Sequence, residues 1–327
     1  MPYLTRLEGL LAKIEGTYKL DPTPVANTNG VQVEESLFDN LSWGYVEENL
    51  RENLAGAALG RAGLGVPTGR FMDIEVTVPM KGTMVAYATG TVVPEYDVLM
   101  RACALVPAVT GSAAAKVCTY TLRSSAFESA TLWAYSAGQL YKVTGCRGNA
   151  RFLLTPGQIP RAVFSLRGYL ASITQAALPV ITYAYKAVVP PTVKGAGLTF
   201  NAVDPAGFDD LEIDLGIELG DLPHGNDADG FAGVYVTDYN PTLKATVETG
   251  ALATFDPFTL RNAGTLFAWD VGPVGPAQYN RVTFSGPKGR IIEHTGGDRD
   301  GMALSDLTIR CQHTSEETED ALSIVFN

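Results

Sequence analysis

Histidine and cysteine are scarce in this chain of 327 residues. His224, His294 and His313 stand apart, with no His-x-x-x-His or Cys/His grouping, so a metal site lacks its usual ligand spacing. Cys103, Cys118, Cys146 and Cys311 form no Cys-x-x-Cys pair. Four cysteines in a chain this long make no disulfide framework, and buried, reduced thiols are expected. Acyl transfer has no recognisable nucleophile, because no Gly-x-Ser-x-Gly turn occurs. The Gly-rich run from Gly56 to Gly69 ends in no Gly-Lys-Ser/Thr and reads as a surface loop rather than a phosphate cradle. Asp227-Ala228-Asp229-Gly230 and Gly297-Asp298-Arg299-Asp300-Gly301 lack the closing Glu of a calcium loop and read as acidic turns.

Basic charge is also short. Lys and Arg number 24 against 35 Asp and Glu, a net charge of −11, and the basic residues are scattered singly. Tight nucleic-acid binding needs a basic stripe and is not expected, although a surface past which nucleic acid slides without sticking has this composition. No apolar run reaches the ~18 residues of a spanning helix. The best candidate, Ala177 to Val193, is interrupted by Lys186, Pro179, Pro190 and Pro191, and Glu8 and Glu15 break the N-terminal pattern. Neither a membrane span nor a signal peptide is expected.

What is present is core material. Apolar residues make up 46% of the chain and charged residues 18%, and at about 150 residues per domain the length suits two domains or one large one. Leu4, Leu7, Leu11 and Ile14, with Thr5 and Glu8 as a capping box, predict a helix over 3–15. A polar arm through Asp21-Pro22-Thr23-Pro24 and Asn27 to Gly30 follows, either frayed or laid on a neighbouring subunit.

Beyond residue 30 the period is two. Met72, Ile74, Val76 and Val78 alternate with Asp73, Glu75 and Thr77. Leu211, Ile213, Leu215, Ile217 and Leu219 alternate with Glu212, Asp214, Gly216 and Glu218. Further strands are predicted at 130–135, 140–144, 161–169, 278–284, 290–294 and 304–311, and helices only at 96–105 and 256–264. Nine acidic residues and no Lys or Arg lie between Asp204 and Gly230, which on an alternating strand makes a solvated acidic face.

Four segments recur in order. Residues 38–45 match 208–215, 71–77 match 231–237, 100–104 match 260–264, and 138–145 match 289–296. The reading is an internal duplication; two unrelated β-domains of similar strand grammar are the alternative. The expected organisation is a helix and arm at 1–30, a β-domain at 31–175, an extended linker at 176–197 and a second β-domain at 198–327. The loop from Arg51 to Arg70 is longer than its counterpart from Asp221 to Gly230 and carries Leu54, Leu59, Leu64 and Val66. A solvent loop has no need of these side chains.

The opening Leu4-x-Arg6-Leu7-x-x-Leu10-Leu11-Ala12-Lys13-Ile14-Glu15-Gly16-Thr17-Tyr18, with Asp21-Pro22-Thr23-Pro24, resembles the start of major tail proteins, the tail tube proteins of long non-contractile-tailed bacteriophages. So do Leu99-Met100-Arg101-Ala102-Cys103, Phe127-Glu128-Ser129-Ala130-Thr131-Leu132, Thr144-Gly145-Cys146-Arg147-Gly148 and the 297–301 turn. The resemblance implies a mostly β fold of tandem tail-tube β-sandwich domains, each with one packing helix. It implies a non-enzymatic virion protein without cofactor, assembled in the host cytoplasm. With two tube domains in one chain, trimeric pseudo-hexameric rings would stack into the conduit for genome ejection. A tape measure protein and a tail terminator are the implied partners, and DNA would pass without specific binding. On that architecture Asp73, Glu75, Glu212, Asp214 and Glu218 are candidates for a lumen that repels phosphate, or else they face outer solvent, and the loop carrying Leu54, Leu59, Leu64 and Val66 would reach across to the next ring and bury them there. A capsid-decorating or baseplate protein, or a β-sandwich carbohydrate-binding module or enzyme, are the alternatives. Trp43, Trp133 and Trp269 lie in strand-like patterns where core packing is expected.

Overall fold

The computed structural model describes residues 8–34, 41–49, 65–112, 115–205, 207–227 and 230–327, without the side chains of 45–49 and 65–68. Alternating apolar residues give strands β1 (Gly9–Ile14), β2 (Gly30–Val31), β3 (Leu41–Asn49) and β4 (Gly65–Pro79), then helix α1 (Asp97–Ala102). Next come β5 (Leu105–Thr110), β6 (Val117–Leu122), β7 (Ala130–Ser136), β8 (Gln139–Leu154) and β9 (Arg161–Gln175). The second half holds β10 (Gly197–Phe200), β11 (Phe208–Asp214), β12 (Ile217–Pro223), β13 (Phe231–Tyr239) and β14 (Thr242–Glu248). Helix α2 (Pro257–Ala263), β15 (Phe267–Val274), β16 (Val282–Arg299), β17 (Met302–Gln312) and β18 (Ser323–Phe326) complete it. The protein is mostly β.

Eight strands form one antiparallel run in the order β3-β4-β9-β8-β11-β14-β17-β16. In each half the chain visits the first position, the second, the fourth and then the third, with a helix between the second and third strands. The halves meet inside this run, where Leu154, Phe152 and Arg151 of β8 pair with Leu211, Ile213 and Asp214 of β11. They meet again where β18 pairs with β6. A second layer is built by β1, β2 and β7 on the first half of β8, and by β10, β15, β18, β6 and β5 around the start of β16. One contiguous core lies between the layers and draws on both halves, with Ile74, Phe164 and Phe152 packed in the same cluster as Ile213, Leu307 and Phe284. Each such side chain contributes about 1.5–3 kcal/mol by leaving water.

Both helices sit where the spacing predicts. Asp256 caps α2, accepting from the Phe258 and Thr259 amides, and Gly264 ends it at φ 63°. Helix α1 buries Leu99, Met100 and Ala102, whereas α2 buries only Pro257.

The N-terminus differs from the expected helix. Residues 9–14 form a strand, because Leu10 faces the main core while Leu11 packs with Tyr135 and Leu140 on the other side. A strand buried on both faces shows an unbroken apolar run, and its leucines then mimic helical spacing. The arm that follows lies on its own chain: Lys13 donates to the Pro22 carbonyl, Trp133 donates to Asp21, and β2 pairs with β1.

The single strand expected over 211–219 is two strands. Gly216 takes φ 60°, where a Cβ would meet the Asn240 carbonyl, and the turn sends β12 out of the eight-strand run to pair with β13. The segment 231–237 therefore lies in β13, while the run continues through β14. The strand expected over 278–284 begins at Val282 and continues without a break through 290–294. Residues 65–70, expected in a loop, extend β4, with Gly69 at φ 60° as the extra residue of a bulge opposite Tyr45 and Val46. The stretch 176–196 contains no strand; Leu178 and Ile181 cover the Leu11 cluster, and Val193 is buried in the main core.

Candidate functional surface

Alternation sends Ile74, Leu166, Phe152, Ile213 and Leu243 into the core and aims their neighbours at the opposite face of the eight-strand run. Asp73, Glu75, Glu212 and Asp214 meet on that face. Arg167, on the neighbouring strand, grips Asp73 at two points, with Nε–Oδ1 2.6 Å and Nη2–Oδ2 3.0 Å. Its guanidinium also stacks on the Phe71 ring at 4.7 Å. The hydrogen bond to Asp73 is the main cause that holds the Arg167 pKa above its ordinary value. Arg151 spans the junction of the halves, 3.7 Å from Glu75 and 4.0 Å from Glu212, and Lys244 lies 3.7 Å from Glu212. Asp214 accepts from Asn149 at 2.7 Å and from the Gly216 amide at 2.8 Å, which pins the turn between β11 and β12.

The face expected to be purely acidic is therefore mixed. The acids of β4 and β11 find their cations on β9, β8 and β14, a pairing set by cross-strand register and invisible along any one strand. Being partly exposed, each such pair contributes roughly 0–1 kcal/mol. Glu218 does not join the group; it is exposed on β12. Between β12 and the sheet lies an open groove of about 370 Å³ lined by Asp73, Glu75, Asn149, Arg167 and Leu219. Of the expected inter-ring side chains, Leu54, Leu59 and Leu64 lie outside the described residues, and Val66 stands in β4 opposite Glu48.

The two ends of the run are edges among the described residues. Among the described residues β3 pairs only with β4, and β16 beyond Gly289 pairs only with β17. Unpaired strand edges are templates for another strand, and neither of these carries a proline to block it.

Segments far apart in sequence converge around Glu15 and Tyr18. Glu15, buried, accepts from Ser129 Oγ and Thr131 Oγ1 at 2.6 Å, from the Gly145 amide at 2.7 Å and from the Lys19 amide at 2.9 Å. Tyr18 donates to the Val234 carbonyl and accepts from the Val234 amide, and burial raises its pKa. Arg147 lies over the Tyr18 ring at 4.7 Å and donates to the carbonyls of Phe127 and Val234. These contacts are architectural: they fix segments distant in sequence against one another.

Among the described residues no group of three or more His, Cys, Asp or Glu is placed to hold a metal ion, and no helix is long and apolar enough to cross a membrane. All four cysteines are free and buried. Compared with known proteins, the chain matches no family model and no curated protein.

Proposed function

We propose that the protein is a structural, non-catalytic virion subunit that polymerises as stacked rings into a phage tail tube, with two tube domains per chain. The observation that carries this reading is the repeated strand order, whose two ends are unpaired among the described residues. The ladder β8–β11 inside the chain joins the last strand of one four-strand set to the first strand of the next. Repeating it between chains joins β16 of one copy to β3 of another, and a right choice of curvature closes the ring.

The repeat also supplies a register. Leu41–Ile74–Leu166–Gly148 and Leu211–Ala245–Leu307–His294 are corresponding rows across the two sets. Leu154, which pairs with Leu211, lies six residues after Gly148, so the sixth residue after His294, Asp300, falls opposite Leu41 of the next chain. Ser42, Trp43 and Gly44 then oppose Arg299, Asp298 and Gly297.

On this reading a trimeric ring presents six similar sets, the mixed polar face lines the channel, and balanced charge lets DNA slide. The tape measure protein would occupy that channel before ejection, and a terminator would cap the tube. Native mass spectrometry and negative-stain microscopy of the purified protein test it: trimers, rings or tubes are expected, and a monomer at high concentration under all conditions would refute it.

A further inference from the structure

Trp43 is 55% exposed although it lies on the core side of β3, opposite the fully buried Met72. Among the described residues its ring contact is with Tyr141, at 6.0 Å. The corresponding residue of the second half, Ile213, is fully buried because β8 continues the sheet past it. Trp43 is thus an apolar side chain at a sheet edge left without a cover among the described residues.

The other free edge shows the converse. A cavity of about 330 Å³ opens on the core side of β16, between that strand and the start of α2, lined by Leu252, Phe255, Phe258, His294, Gly296 and Leu304. Leu252 is 57% and Phe258 54% exposed, whereas the corresponding helix α1 is packed into the core. The Phe258 ring meets His294 edge-on at 4.5 Å, and His294 Nε2 is buried without a hydrogen-bond partner among the described residues.

We infer that Trp43 of one copy inserts into this cavity of the next, so that each ring contact is anchored by a tryptophan in a pocket built by Phe258, His294 and Leu252. The inference rests on the proposed ring assembly and its register. That register sets Trp43 opposite Asp298 and diagonal to Gly296, on the same face of the sheet, within reach of a large aromatic side chain. A second copy of this chain is the occupant because the internal β8–β11 junction already buries the equivalent residue. An indole is also the kind of amphipathic anchor that dominates interfaces, with an N–H to offer the orphaned histidine nitrogen.

Tryptophan emission during assembly of the full chain tests this, since Trp269 is buried and Trp43 is the one tryptophan among the exposed large apolar residues. Assembly should shift the wild-type emission to the blue, and Trp43→Phe should abolish the shift. Trp43→Ala should raise the concentration needed for assembly on the order of thirtyfold, as truncating a central interface tryptophan does. Gly296→Val provides a second variant: a Cβ there meets nothing within 4 Å, so the isolated chain keeps its melting temperature while the cavity mouth is filled and assembly is lost. Wild-type rings with unchanged emission, and assembly of Trp43→Ala and Gly296→Val at wild-type concentration, would overturn the tryptophan anchor and leave the ring standing. Failure of the wild type itself to assemble would overturn both.

Discussion

Arg101 and Glu128 form a two-point ion pair, Nε–Oε2 2.6 Å and Nη2–Oε1 2.8 Å, that ties α1 to the segment leading into β7. The hydrogen bond from Arg101 is the main reason the Glu128 pKa lies below its ordinary value. A carboxyl whose pKa is lower in the folded state stabilises the fold above its unfolded pKa, and that contribution is lost as pH falls through the folded value. Glu128→Gln should therefore cost about 1 kcal/mol at pH 7, the pair being partly exposed, and progressively less in acid. Urea melts of both proteins at pH 7 and pH 3 check this; a difference that grows in acid would contradict it.

Glu15 should be far less tolerant. Its carboxylate satisfies Ser129, Thr131 and two backbone amides in a buried site. Glu15→Ala strands several donors at about 1–3 kcal/mol each, and a total loss on the order of 3 kcal/mol is expected after local relaxation. Glu15→Gln, which keeps one acceptor oxygen, should recover part of it in the same denaturation series.

The thiols should be silent. Burial pushes the pKa of Cys118 and of Cys311 up to about 12, and that of Cys103 and Cys146 is raised as well. Thiolate is the reactive form, so a disulfide-exchange reagent should label none of the four in the native protein and all four in denaturant. Rapid labelling of one cysteine in the native state would contradict the packing around it.

Charge on the sheet face should control contact with DNA if that face lines a channel. Glu75 and Glu212 flank Arg151, so Glu75→Lys with Glu212→Lys turns a neutralised cluster into a basic one. Asp214 is best left intact, because it holds the turn at Gly216. Assembled double variant should retain DNA in a salt-dependent manner that wild type does not show, each phosphate contact adding roughly −0.9 to the log–log salt slope. Identical retention by both would place the face outside the channel.

Strands with one buried face were legible in the sequence. Leu211 and Ile213 alternate with Glu212 and Asp214 because the first pair enters the core and the second meets water. Strand β1 was illegible for the opposite reason: with Leu10 and Leu11 buried on opposite sides, no alternation exists to read. The break at Gly216 escaped because Leu215 and Ile217 are buried on both sides of it, so periodicity runs straight through a change of direction. Cross-strand facts were beyond reach. Nothing in residues 161–169 or 147–154 says that Arg167 meets Asp73, since a partner depends on register across separate segments. Nor does composition reveal that Trp43, expected in a core, stands at an edge.

The central claim, that β16 of one chain continues into β3 of the next, is tested most directly by a cryo-microscopy reconstruction of the assembled protein. The account predicts a closed antiparallel sheet in which residues 297–299 pair with 42–44 of the neighbour and the Asp73–Arg167 face lines the channel. Rings in which either edge stays unpaired, or in which that face lies on the outer surface, would contradict it.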